Sequence, residues 1–356
     1  MELPALIAEA LRTKRQFGIG LLRQLRQLIA LRWSGHRLDA WCYYFYQVFL
    51  DRYPMEEKRR FIGWRGELSL DRRLNTGPDR AIANDKLLFT QRMREIGAPV
   101  PDIRALYLKE PRAVPHAESL STPTAIETYL SDTNDFPMFV KPLRGAHGWN
   151  AAAILRRGEN DGVLELASGE RRTIPDFVAQ LEQDTRHAYL FQELLSTHPA
   201  IAERCGERLT SVRAVVLTEA SEPELLSVVW RVPTGANMTD NFSVGTTGNL
   251  CGAVDLDSGE IGNVFQGVGW RNLRRADHPD TGATLAGFVL PDWPRVHKLC
   301  LDCARRLPGL RLQHWDIALT DRGPVLLEVN VQGGLRTHQI VAEGPGRLAR
   351  LSELRH

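Results

Sequence analysis

A chain of 356 residues is long enough for two or three subdomains and an ample core. Its 43% hydrophobic and 25% charged content is that of an ordinary globular protein, and a net charge of +2 gives no global case for nucleic acid as partner. Five cysteines, Cys42, Cys205, Cys251, Cys300 and Cys303, are scattered and odd in number, which argues against a disulfide framework and for a reducing compartment.

Residues 1–75 read as helical, with Leu21, Leu22, Leu25, Leu28 and Ile29 at helical spacing. From Arg12 to Arg37 there are seven basic residues and no acidic one. Such a helix either lies on a membrane surface or an acidic partner, or packs its apolar face on the body and leaves its arginines wet. The second is the expectation, with peripheral membrane contact as the alternative. Trp41, Tyr43, Tyr44, Phe45, Tyr46 and Phe49 are expected to pack this layer. The most apolar stretch, Ala40 to Leu50, is too short to span a bilayer, and no secretory signal is evident, so a cytoplasmic location is expected.

A second helix is expected over Asn84 to Gly97, with Asn84 as N-cap and Gly97 as stop. Lys109 to Thr124, rich in Pro and Ser, reads as a linker or surface loop. Phe136 to Lys141 reads as a strand, followed by a glycine-bearing loop over 144–150 and a further strand from Ala151 to Leu155. Tyr189 to Leu195 is a strand entering a loop, and Thr210 to Leu217 and Leu225 to Val232 belong to a sheet. Asp255 to Glu260 resembles a tight hairpin turn more than a calcium loop. Trp293 to Leu307 is a long helix, and the lone CxxC it carries (Cys300, Cys303) has no second pair to complete a zinc site. Helices, then mixed strands and helices, then antiparallel hairpins give α+β character rather than a doubly wound parallel sheet.

The richest chemistry lies near the C-terminus. His314 to Leu319 and Val325 to Asn330 flank a turn-rich break and form a β-hairpin. Folded symmetrically about Arg322, it sets Asp316 opposite Glu328, and Asn330 shares a face with Glu328. Two carboxylates facing each other across strands repel and call for a cation. Asp316, Glu328 and Asn330 make a hard-oxygen set suited to Mg²⁺, an ion that commonly also holds phosphates. A one-residue change in register would undo the arrangement.

A phosphate site also needs cations and backbone amides. Lys141 closes a strand just before Gly145 and Gly148 and brings an ammonium beside free N–H groups. Lys86, on the preceding helix, offers a second cation, although a helix lysine of this kind is commonly solvated. Arg213 sits inside the apolar run Val212 to Leu217, where it requires an anion, either phosphate or an internal carboxylate. Neither a P-loop nor a convincing dinucleotide-binding glycine pattern occurs.

Taken in order, these pieces resemble the ATP-grasp superfamily, and within it the ATP-grasp proteins associated with sugar transfer. The matching segments are Asn84–Phe89, Phe139–Pro142 with Gly145 and Gly148, Phe191–Leu195, Val212-Arg213, Thr239–Phe242, and Trp315–Ile317 with Leu327–Asn330. The resemblance implies two α+β subdomains clasping ATP, with an N-terminal helical region over 1–75, a small subdomain with its lead-in over 76–195 and a C-terminal subdomain over 196–356. It implies ATP and Mg²⁺ as cofactors. Lys86 and Lys141 would contact phosphates under a loop closing through Gly145 and Gly148. Gln192, Glu193, Leu194 and Leu195 would form the adenine hinge, and His198 either meets ribose or is a solvated loop histidine. Arg213 would steady the transferred phosphoryl group, Asn241 would line the active-site face, and Asp316, Glu328 and Asn330 would hold Mg²⁺. Arg336 either pairs with an acidic substrate or is an ordinary surface arginine. The activity implied is a ligase joining a small carboxylic acid to an amine or related nucleophile through an acyl phosphate; a kinase on the same ATP site and an inactive nucleotide-binding scaffold are the alternatives. Thr246-Thr247-Gly248 stands where relatives show paired glycines, and the basic N-terminal helices replace a Rossmann-like start, so substrate identity does not carry over.

Overall fold

The computed structural model describes residues 3–32, 38–110, 114–144, 150–158, 162–183, 188–220, 222–267 and 273–354. An N-terminal layer holds α1 (Leu3–Phe17), α2 (Leu21–Arg32), α3 (Ala40–Phe45), α4 (Met55–Lys58) and α5 (Trp64–Leu74), followed by α6 (Arg80–Asn84) and α7 (Lys86–Glu95). The aromatic run serves as packing: Tyr43, Tyr44, Phe45, Tyr46 and Phe49 are buried in one cluster with Leu31 and Phe61. Two expectations for this layer change. Asn84 closes α6, and Asp85 caps α7, its carboxylate accepting from the Leu87 and Leu88 amides at 2.9 and 3.2 Å. Gly97, at φ +73°, does stop α7. On α2, Leu22, Leu25 and Ile29 do not pack on the body; Gln24, Gln27 and Leu31 are the buried residues.

The first sheet contains β1 (Ile103–Leu108), β2 (Glu118–Leu120), β3 (Met138–Pro142), β4 (Ala152–Arg157), β5 (Val163–Leu166), β6 (Arg171–Thr173) and β7 (Ala188–Glu193). Their order is β2-β1-β7-β3-β4-β5-β6, and only the β1–β2 pair is parallel. Two helices, α8 (Pro123–Asp132) and α9 (Ile174–Glu182), cover one face and bury Ile126, Leu130, Phe177 and Leu181 with Val140 and Phe191. The Lys109 to Thr124 segment, expected to be a loop, contributes β2: Ala105, Leu106 and Tyr107 pair with its three residues, so pairing overrides its poor strand composition.

The second sheet follows α10 (Pro199–Cys205). It contains β8 (Ser211–Glu219), β9 (Glu222–Val232), β10 (Leu250–Val254), β11 (Ile261–Gln266), β12 (Leu273–Arg275), β13 (Leu312–Thr320) and β14 (Gly323–Asn330), with α11 (Trp293–Arg305) before β13 and α12 (Leu335–Val341) after β14. The order is β12-β11-β10-β9-β8-β13-β14, antiparallel throughout. Period-two alternation divides the faces. Val212, Ala214, Val216, Trp315 and Ile317 pack with α11 through Val296, Cys300 and Ala304. The opposite face packs Val215 and Leu217 against Leu70 and Leu74 of α5 and Leu335 of α12. Asp255 turns the β10–β11 hairpin as expected, its side chain accepting from the amides of Asp257 and Ser258.

Candidate active site

The hairpin of β13 and β14 closes through a two-residue turn, because Thr320 pairs with Gly323. Continued without interruption, that register would set Leu327 opposite Asp316. The register instead slips by one between Ile317, which pairs with Leu326, and Asp316, which pairs with Glu328; Leu327 is the extra residue of a β-bulge. The bulge lets Leu326 and Val329, three apart, both enter the core on the α11 side. It thereby turns Glu328 and Asn330 to the other face, where Asp316 lies. Pro324 is tolerated because β14 is an edge strand.

Arg213 of β8 is the register partner of Asp316, so one row crosses three strands as Glu328, Asp316, Arg213. The Arg213 guanidinium donates to Asp316 through Nε and Nη2, both at 2.6 Å, and through Nη1 to the Gly333 carbonyl at 3.1 Å. The internal carboxylate that one reading of Arg213 called for is thus present in Asp316. Arg231 of β9 adds a second guanidinium 3.1 Å from Asp316 and 3.6 Å from Asp240, whose carboxylate also accepts from the Ser211 hydroxyl. Burial would raise the Asp316 carboxyl, but Arg213 and Arg231 outweigh it and hold the group well below the usual carboxylate range. Burial alone would lower Arg213; Asp316 keeps it above its ordinary value. For Asp240 the balance tips the other way, and burial raises its carboxyl against the pull of Arg231.

Glu328 is more open, and it joins this row to α7. Lys86, the first residue of α7, brings Nζ to 3.9 Å from its Oε2, and Asn330 donates to its Oε1 at 3.1 Å. Lys141 of β3 shares this neighbourhood. Burial foremost, then the Lys86 charge, lowers its ammonium from 10.5 to about 8, while Glu328 opposes the shift. Lys86 from the first half thus faces Glu328 from the second at 3.9 Å, and Lys141 lies within electrostatic reach of both.

His314 lies on the same face, paired in register with Asn330 and fully buried, and neither ring nitrogen has a hydrogen-bond partner among the described residues. Burial and the nearby Arg213 lower it to about 3, so it is neutral. Gly333 passes so close that a Cβ there would sit 2.3 Å from the His314 ring. The loop after β14 is held from behind by α5: the buried Glu67 accepts from the Gly334 and Leu335 amides at 2.7 and 3.3 Å. Asp71 accepts from Gln332 and from Arg80.

The segment after β7 passes from one sheet to the other. Gln192 and Leu195 are buried, and Leu195 packs with Ala318 and Val325. The Leu194 amide faces the Pro137 carbonyl at 3.4 Å, and Thr197 bridges Thr320. Glu193 accepts from the Asp102 amide and pairs with Arg322 at the hairpin turn. His198 donates its amide to the Leu319 carbonyl and caps α10, with Nδ1 accepting from the Ala200 amide at 3.2 Å. Asn241 belongs to a loop pinned by buried Asn249, whose side chain donates to the Thr239 and Asn241 carbonyls. Arg336 lies over the Trp41 ring at 5.3 Å. Gly145 and Gly148 lie outside the described residues.

Three members of this cluster, Arg231, Asp240 and Ser211, were not singled out from the sequence. Arg231 carries the same signal as Arg213, an arginine inside an apolar strand. Asp240 lies in one of the matched segments beside Asn241.

The donor chemistry suits a hard cation only in part. Among the described residues no three His, Cys, Asp or Glu side chains cluster as a metal site. Glu328 and Asn330 offer carboxylate and amide oxygens, which fit Mg²⁺. Asp316 already pairs with two guanidiniums, so the repulsion between the opposed acids is offset without a metal. Each carboxylate oxygen nonetheless retains acceptor capacity.

A family model described as sugar-transfer associated ATP-grasp matches residues 66–355. No curated protein matches the chain. Among solved structures, the ATP-grasp ligase PsnB complexed with minimal precursor is 16% identical, with a TM-score of 0.40 over 79% of this chain and 62% of that one. D-alanyl-alanine synthetase A from Vibrio cholerae is 13% identical, with a TM-score of 0.44 over 77% and 65%. D-alanine–D-alanine ligase from Bacillus anthracis is 13% identical, with a TM-score of 0.39 over 76% and 66%. The chain thus spans less than two thirds of the length of each.

Proposed function

The chain belongs to the sugar-transfer associated ATP-grasp family, and from that premise we propose that it is an ATP-dependent ligase joining a small carboxylic acid to an amine or related nucleophile. The observation that carries this reading is the approach of Lys86 to Glu328, with Lys141 within electrostatic reach of both, beside the Asp316–Arg213 pair. In this reading the hinge runs from Gln192 to Leu195, with the smaller half before it and the larger half after it.

The two ammonium groups offset phosphate charge. Glu328 and Asn330, with Asp316 beside them, would hold Mg²⁺, which when bound screens the phosphate oxygens and orients them. Asp316 also positions a cation. Held between Arg213 and Arg231, it fixes the Arg213 guanidinium toward the Gly333 loop, so that guanidinium needs no reorganisation as charge develops. A substrate carboxylate oxygen bonds to the γ-phosphorus of ATP, and the bond to the β-bridging oxygen breaks with its electrons leaving on ADP. The amine then bonds to the acyl carbon, phosphate departs with the C–O electron pair, and the amine proton passes to solvent or phosphate. The residues position and neutralise, which accounts for the absence of a nucleophilic triad among those singled out.

A hydroxylamine trap tests the proposal. Candidate acids are incubated with ATP and hydroxylamine; a hydroxamate formed together with free phosphate supports it. A stable phosphorylated alcohol without phosphate release would make the protein a kinase, and absence of any ATP turnover across a broad panel of acids and amines would leave a scaffold.

A further inference from the structure

Each of the two N-terminal helices presents a stripe of apolar residues to solvent. On α1, Leu3, Ile7 and Leu11 recur every four residues and are 68%, 51% and 46% exposed; on α2, Leu22, Leu25 and Ile29 are 74%, 54% and 53% exposed. These stripes lie opposite the faces that pack on the body, which on α2 carry Gln24, Gln27 and Leu31.

Polar contacts set the rotation of α2. Gln24 donates to the Ala10 and Ile19 carbonyls at 3.1 and 2.7 Å and accepts from the Tyr44 hydroxyl at 2.9 Å; Gln27 accepts from the Tyr43 hydroxyl at 2.7 Å. Turning the leucines inward would strand these buried groups. The outward apolar stripe is thus built into the packing, and exposed apolar stripes of this kind mark an interaction site.

Charge selects the occupant. Residues 3–32 carry six basic residues against one acidic, Glu9. Arg12 and Arg23 pair with Glu9 and Asp51, while Lys14, Arg15, Arg26 and Arg32 are exposed beside the stripes. A second copy of the same face would bring like charges together. At 15 and 12 residues the helices are too short to cross a bilayer. An apolar stripe edged by Arg and Lys suits the plane of an anionic membrane, leucines in the acyl boundary and cations among headgroups. The whole feature also precedes residues 66–355, which match the family. We propose that α1 and α2 dock the protein on an anionic lipid surface.

Co-sedimentation of the full chain with vesicles, read without nucleotide, tests this independently of any ligase activity. Phosphatidylcholine vesicles are compared with equimolar phosphatidylcholine and phosphatidylglycerol. The protein is expected to pellet with the anionic vesicles, less so as salt rises. The triple variant Leu22→Gln, Leu25→Gln, Ile29→Gln should weaken partitioning by about tenfold, and so should Lys14→Glu with Arg15→Glu and Arg26→Glu. Circular dichroism and melting of both variants should match the parent. Equal pelleting with and without anionic lipid, or full binding by the glutamine variant, would overturn the proposal. A concentration-dependent dimer that the glutamine variant disperses, in a protein that ignores vesicles, would also overturn it and give the face to a second copy.

Discussion

Glu328 stands across from Asp316 because Leu327 is an extra residue in its strand. The two-residue turn by itself would have paired Asp316 with a leucine. The opposed acids thus rest on a bulge, and the two have different surroundings: Asp316 lies buried between two guanidiniums, whereas Glu328 is partly exposed toward Lys86.

Their amide variants should therefore fail differently. Glu328→Gln is expected to lower turnover by on the order of 100- to 1,000-fold while stability changes by less than about 1 kcal/mol. Asp316→Asn leaves the largely buried Arg213 guanidinium without its paired carboxylate and Arg231 with Asp240 alone, and should cost about 3–5 kcal/mol of stability. Urea unfolding beside an ADP-release assay checks both; a Glu328→Gln variant with full ADP formation would remove that residue from the reaction.

Lys141 should make nucleotide affinity depend on pH. Its folded value, about 8, lies below its ordinary 10.5, so the ammonium is present below about 8 and lost above it. The penalty for burying that charge is full below about 8 and fades as pH rises toward 10.5, so stability gains from this group with alkalinity while phosphate attraction declines. Calorimetric titration of ATP should show affinity falling about tenfold between roughly pH 7 and roughly pH 9. Lys141→Arg, permanently charged, should flatten the profile. An unchanged slope in that variant would assign the titration elsewhere.

Gly333→Ala tests the loop behind the site. Its added Cβ would meet the His314 ring at 2.3 Å, which the buried imidazole cannot yield without moving the strand. We expect a loss of about 1–3 kcal/mol, together with weakened ATP binding, because the Gly333 carbonyl accepts from Arg213. Thermal melting and the same calorimetric titration read the two effects.

The reversed packing of α2 predicts that polar and apolar truncations exchange their usual costs. Gln24→Ala leaves the Tyr44 hydroxyl and the Ile19 carbonyl without their partner and should cost about 1–3 kcal/mol. Leu22→Gln, on the exposed side, should stay within about 0.5 kcal/mol. Chemical denaturation of both variants decides; the opposite ranking would mean that α2 packs through its leucines.

Local chemistry wrote much of this protein in its sequence. The α+β class, the long helix before the hairpin, the strand carrying Lys141 and the candidate set Lys86, Lys141, Arg213, Asp316, Glu328 and Asn330 follow from alternation, turn residues and charged groups set in apolar runs. Those signals act within a few residues of one another. Contacts distant in sequence settled the rest. Arg231 reaches Asp316 only once β9 lies beside β8, so its partner was invisible along the chain. Asp316 is held by guanidiniums because sheet register, rather than composition, decides which charges share a row. The bulge at Leu327 follows from a competition between turn geometry and burial of Leu326 with Val329. The basic leucine helix turned its apolar face outward because buried tyrosine hydroxyls, more than 15 residues away, take their hydrogen-bond partners from its glutamines.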